Sequence, residues 1–242
     1  DISGWNVSSV TNMRSMFCRT PFDGDISGWD VSSVTNMSHM FCRTPFNGDI
    51  SRWDVSKVTD MHGMFQKTEK FTGIGLSAWN VSKVIDMSSM FYMSNSFNVD
   101  ISGWDVSQVK NMLSMFRNSP LFNSTLSEWN VSSVKYMSKM FLGATNFNGD
   151  ISNWNVSEVT SMRGMFQDAE TFDKDISKWK YVLRSDVKVS GMFNNCSIEE
   201  NHKCKRLREV DLERYHVILW LYHIRKQHGR NKYDYDYDFD YD

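Results

Sequence analysis

WDVSSVTNMSHMF, Trp29 to Phe41, is the stretch that decides the fold, because its pattern returns along most of the chain. Tryptophans open the copies at Trp5, Trp29, Trp53, Trp79, Trp104, Trp129, Trp154 and Trp179, at intervals of 24 to 26 residues. Twelve residues after each of the first seven stands the phenylalanine of a Met-x-x-Met-Phe group, from Phe17 and Phe41 through to Phe166. The eighth copy slips by two residues and reaches Met192 and Phe193. A fixed period of this length marks a stacked array of supersecondary units and outranks any local motif.

Within one period the apolar places are Phe22, Ile26, Trp29, Val31, Val34, Met37, Met40 and Phe41. The spacing Ile26-x-x-Trp29-x-Val31-x-x-Val34 predicts a short strand at 28–32 with alternate side chains facing in. Val34, Met37, Met40 and Phe41 form a stripe that predicts a short helix on the opposite wall, with Ser32 or Ser33 as N-cap. The expected fold class is therefore α/β: a leucine-rich-repeat-like solenoid of about 25-residue coils, a parallel sheet on one side, short helices on the other and a C-terminal helical cap. One coil alone buries too little to offset the entropy of ordering it, so stability has to come from stacking.

The domain reading is a repeat solenoid over 1–193 in about eight coils, a cap over 194–230, and a disordered acidic and aromatic tail over 231–242. Asp1-Ile2-Ser3 matches Asp25-Ile26-Ser27, so the chain opens partway through a repeat and reads as a fragment. From Ser197 the composition turns to charge, and Leu207, Val210, Val217, Leu221 and Ile224 predict an amphipathic helix covering the last coil. A helix for a partner or a membrane surface is the alternative, encouraged by Lys203, Lys205, Arg206, Arg208, Arg225 and Lys226. Tyr233 to Asp242 alternates aromatic and acidic residues as a low-complexity tail.

Charge and motifs exclude more than they assign. With 27 basic and 29 acidic side chains in 242 residues there is no bulk attraction to nucleic acid or anionic membrane. No internal window is apolar enough to predict a transmembrane segment. The six histidines have no recurrent Ser, Cys or acidic partner, and no glycine-rich phosphate loop is present, so no enzyme and no cofactor are expected.

The variable positions carry the candidate sites. The residue before each Trp is Gly4, Gly28, Arg52, Ala78, Gly103, Glu128, Asn153 or Lys178, which predicts a solvent-facing column with Arg52, Glu128, Asn153 and Lys178 as its interaction candidates. The loops after the Phe, such as 66–70 and 92–96, vary likewise. The residue after each Trp alternates between Asp and Asn (Asn6, Asp30, Asp54, Asn80, Asp105, Asn130, Asn155), so an oxygen acceptor is needed there and the charge is not; a structural ladder is expected. A second acidic column, Asp25, Asp49, Asp100, Asp150 and Asp175, is read as turn-forming in preference to calcium-binding. Cys18 and Cys42 share one slot of successive coils, within reach of a disulfide and equally suited to a buried thiol pair. Cys196 and Cys204 flank the end of the array and are the second disulfide candidates.

The repeated Trp-[Asp/Asn]-Val-Ser and Met-x-x-Met-Phe, with the preceding Phe46-Asn47-Gly48-Asp49-Ile50-Ser51, resemble the repeat of the BspA-like leucine-rich-repeat surface proteins, in the mycoplasma-type variant first filed as a domain of unknown function. The resemblance covers Asp1 to about Phe193; the eighth copy departs from it at Lys180 and Tyr181. It implies a cell-surface or secreted location and a protein, cell-surface or matrix partner, since some members are associated with adhesion, and it carries no site residues. The expected function is a non-enzymatic scaffold for interaction or adhesion. A structural solenoid that binds a crystalline surface such as ice or mineral is the alternative, and a glycan-processing enzyme ranks third because it lacks converging carboxylates.

Overall fold

The computed structural model describes residues 1–204 and Leu207. The repeats form a stack of coils, one per period. A parallel bridge joins each coil to the next at one place, running Asn12, Asn36, Asp60, Asp86, Asn111, Tyr136, Ser161 and Lys188. The core lies inside this stack: Val34, Met37, Met40 and Phe41 are fully buried, and so are their counterparts in the following coils as far as Phe166.

The expected secondary structure is corrected on both walls. Among the described residues neither a sheet nor the short helices are found, and the only helices with bounds there are 3-10 turns at Leu76–Ala78, Ser177–Tyr181 and Glu200–His202. At 28–32, where a strand was expected, the chain closes turns on itself. Trp29 N–H donates to the Ile26 carbonyl and Val34 N–H to that of Val31, and Ser32 N–H to the Asp30 side chain at 3.0 Å, so these amides bond within their own coil and not to a neighbouring strand.

Where the helix was expected, residues 37–44 form a run of tight turns. His39 and Arg43 have φ of 56°, which a right-handed helix does not admit. The amides of this run divide between two destinations. Met37, His39, Phe41 and Arg43 donate to the carbonyls of Asp60, His62, Met64 and Gln66 in the next coil. Met40, Cys42 and Thr44 donate to Met37, His39 and Phe41 in their own coil, and Ser38 N–H finds the Asn36 side-chain oxygen at 2.9 Å. Every N–H from 37 to 44 thus has an acceptor, as a buried backbone requires. An α-helix would have spent these donors within the segment and left nothing to join the coils. Because the chain turns every three residues, the parallel pairing never lengthens into a strand.

The apolar spacing contains the distinction. Val31, Val34, Met37 and Met40 are steps of three. On an α-helix each such step falls about 60° short of a full turn, so Val31 and Met40 would face opposite sides. Three residues per turn unit instead bring all four inward.

Side chains complete the stacking. Each buried Trp donates its indole N–H to a carbonyl of the preceding coil: Trp53 to Ile26 at 3.2 Å, Trp104 to Leu76 at 2.9 Å and Trp154 to Leu126 at 2.9 Å. Phe41, Phe65, Phe91, Phe116 and Phe141 stack in one column with neighbouring ring centroids 5.6–5.8 Å apart. Phe46, Phe71, Phe97, Phe122 and Phe147 form a parallel column beside it. Such offset contacts add to the area that the rings bury.

Residues 194–204 pack on the seventh and eighth coils. His202 accepts from the Ile176 amide through its carbonyl, and its ring bonds Asp173 at 2.8 Å. Lys203 is buried, with Nζ 2.6 Å from Glu200 and 4.9 Å from the Phe193 ring centroid. The expected amphipathic helix beyond Leu207 and the tail at 231–242 lie outside the described residues. Among the described residues no helix is long and apolar enough to cross a membrane.

Candidate interaction surfaces

The column before the tryptophans follows from the turn that buries each indole, which leaves the preceding residue at an outer corner. Arg52, Glu128, Asn153 and Lys178 are all exposed, as are Gly28, Ala78 and Gly103 between them. Glu128, Asn153 and Lys178 sit on successive coils. Arg52 is separated from them by the two coils that carry Ala78 and Gly103.

The Asp and Asn residues after the tryptophans bond within their own coil. Asp30 accepts the Ser32 amide at 3.0 Å, Asp105 that of Ser107 at 3.0 Å, and Asn80 both the amide and hydroxyl of Ser82. The Ser32 hydroxyl and amide hold the Asp30 carboxyl below its usual range, and Ser56 and Ser107 do the same for Asp54 and Asp105. Asp25, Asp49, Asp100, Asp150 and Asp175 cap the serine amides two residues on in the same way, at 2.8–2.9 Å. Their oxygens are engaged by local turns, and among the described residues no three His, Cys, Asp or Glu side chains gather as a metal site.

A side-chain ladder that joins coils stands at a different place, directly after the second Phe of each period. Asp23 accepts the Asn47 amide at 3.1 Å, and Asn47 accepts that of Thr72 at 3.0 Å. Farther along, Asn98 accepts from Asn123, Asn123 from Asn148, Asn148 from Asp173 and Asp173 from Glu199. The recurrent Phe-[Asn/Asp] pair was the available signal, and Thr72 interrupts it.

Cys18 and Cys42 both carry free thiols, and Cys42 Sγ lies 3.9 Å from the Gln66 side-chain oxygen. Burial first, and then the neighbouring Cys18, push the Cys42 thiol up to about 11. Cys196 bonds the Phe172 carbonyl at 3.6 Å, and Cys204 is buried. His39 and His62 come together with ring centroids 4.5 Å apart. Burial, and next the His62 ring, lower the pKa of His39, whose buried Nδ1 has no hydrogen-bond partner. His62 Nδ1 lies 2.6 Å from the Ser88 hydroxyl.

A basic corner also forms that no local motif announced. The last left-handed residue of the turn run is Arg19, Arg43 and Lys67 in the first three coils, with φ of 60°, 56° and 57°. In later coils the slot holds Met93, Asn118, Gly143, Asp168 and Asn195, so the positive charge ends there. Arg43, Lys67, Lys70, Thr44, Pro45 and Glu69 line a groove of about 430 Å³.

A family profile described as "Mycoplasma protein of unknown function, DUF285" matches the chain in three overlapping stretches, residues 1–102, 42–127 and 94–205. Comparison with curated proteins and with solved structures returned no match.

Proposed function

The chain belongs to the family described as Mycoplasma protein of unknown function, DUF285, and from that premise we propose that it is a non-enzymatic repeat scaffold, at the cell surface or secreted, that binds a protein or matrix partner. One observation carries this reading: interior positions repeat from coil to coil while the outer corners vary in side chain along the stack. Core places are Val, Met, Phe and Trp throughout, whereas the exposed column passes from Arg52 through Ala78 and Gly103 to Glu128, Asn153 and Lys178. A frame that holds unlike side chains at a fixed pitch suits recognition of an irregular surface. A crystalline lattice would call for one side chain repeated, and this column does not repeat one. The resemblance to BspA-like surface proteins supports the location.

The test has two arms. Antibody against the chain should label intact cells or the culture medium, and surface proteolysis should remove the label; a chain found only after lysis refutes the location. Host matrix proteins immobilised singly should retain the purified chain, and Arg52→Ser with Lys178→Ser should weaken that retention. Turnover of a matrix component by the purified chain would refute the non-enzymatic reading.

A further inference from the structure

We infer that the basic corner of the first three coils binds an anionic polysaccharide, one bearing a sulfate or carboxylate on successive sugars. The inference rests on the reading of the chain as a binding scaffold and names one class of ligand for it.

Backbone geometry makes this corner a ruler. Arg19, Arg43 and Lys67 donate their amides to the Cys42, Gln66 and Tyr92 carbonyls of the next coil at 2.7–2.8 Å. Backbones bonded side by side in this way are spaced about 4.8 Å apart. All three residues share one left-handed conformation, so their side chains leave the stack in the same direction. Among the described residues none of the three is in an ion pair, and Glu69 is the one carboxylate lining the groove beside them. Three like charges in a row, none of them held in an ion pair, set up a field that suits an extended anion.

The pitch selects among anions. An extended polysaccharide of this kind carries an anion on every ring, and rotation about its glycosidic links lets anions of nearby rings reach one row of cations. An extended acidic peptide places same-side carboxylates about 6.7 Å apart, wider than the spacing of the coils. A single-stranded nucleic acid binds by stacking bases on open aromatic faces. Tyr92 supplies a ring at this corner, but Lys67 and Arg117 already lie over it, at 5.5 Å and 5.1 Å from its centroid. Those contacts hold Lys67 in place, while Arg19 and Arg43 remain exposed. Lys70 and the ring of Pro45 complete the wall of the groove, a basic and an apolar surface that suit the two sides of a sugar.

The experiment measures binding of the full chain to heparin, a polymer of alternating uronate and sulfated glucosamine, by calorimetry at physiological salt. Replacing Arg19, Arg43 and Lys67 by Gln should weaken the Kd by about tenfold or more, because three contacts to a polyelectrolyte are lost together. A control that removes the same charge elsewhere, Lys83→Gln with Lys110→Gln and Lys135→Gln, should change it less than about twofold if the contacts are local. A second variant with Gly at positions 19, 43 and 67 keeps the fold, since Gly143 occupies the same slot with φ 67°, and it should behave as the Gln variant does. No binding of heparin, equal weakening by the control, or equal affinity for oligo(dT) or polyglutamate would each overturn the inference. Location on the cell is scored separately, so failure of the scaffold's placement and failure of this site are distinguishable.

Discussion

Lys139→Gly tests the turn run against a helix, because the two architectures give opposite signs. Lys139 is exposed and has φ of 57°, so its replacement removes no packing. Left-handed backbone costs an L-residue about 1–2 kcal/mol, and glycine avoids that while losing about 0.5–1 kcal/mol more in backbone entropy on folding. The net is a stabilisation of about 0.5 kcal/mol, with an upper limit of about 1.5. In a helix the same change would destabilise by about 1 kcal/mol. The reciprocal variant is Gly164→Ala, in the equivalent slot of the next coil with φ of 58°. A methyl group there would meet no atom closer than 3.4 Å, so its cost is purely conformational, and a loss of about 0.5–1 kcal/mol is expected. Urea denaturation followed by far-ultraviolet circular dichroism reads both, with the midpoint shifting at constant slope. At this chain length each kcal/mol corresponds to about 2–4 °C in Tm. A Lys139→Gly protein less stable by about 1 kcal/mol, or a Gly164→Ala protein of unchanged midpoint, would refute the turn run.

Three further expectations follow from side chains. Trp104→Phe removes the indole bond to Leu76 and leaves a small void, which together should cost about 1–3 kcal/mol; Trp5→Phe, where the residue is 56% exposed, should change the stability read from urea denaturation by less than about 0.5 kcal/mol. The carboxyls of Asp30, Asp54 and Asp105 are held below their ordinary value of 3.8 by serine bonds in the folded chain. Their contribution is therefore full above that pH and fades as the pH falls through the lowered folded values, so the triple Asn variant should lose less stability between pH 5 and pH 2 than the native chain, as read by thermal melts. The Cys42 thiol, buried and pushed up to about 11, should react with iodoacetamide at pH 8 only on unfolding, as mass spectrometry of the labelled peptide would detect; labelling of Cys42 in the native protein at the rate of a free thiol would contradict its burial.

What the amino-acid order determined by itself is the inventory of inside and outside. The period, the eight buried places per coil and the exposed column at Arg52, Glu128, Asn153 and Lys178 were legible because burial depends on side-chain chemistry repeated at a fixed interval. The secondary structure was not. Val31, Val34, Met37 and Met40 recur in steps of three, and read together with Phe41 they imitate a helical stripe. What separates a helix from a run of turns is where the amides of 37–44 find acceptors, and half of those acceptors belong to the next coil. The same holds for the indole bonds to Ile26 and Leu76 and for the Asn123 and Asn148 ladder, whose partners lie about one period away. The basic corner is the sharpest case, since Arg19, Arg43 and Lys67 are 24 residues apart in the chain and one coil apart in space. Only stacking makes them neighbours, because the backbone bonds that set their spacing exist between coils and in no single repeat.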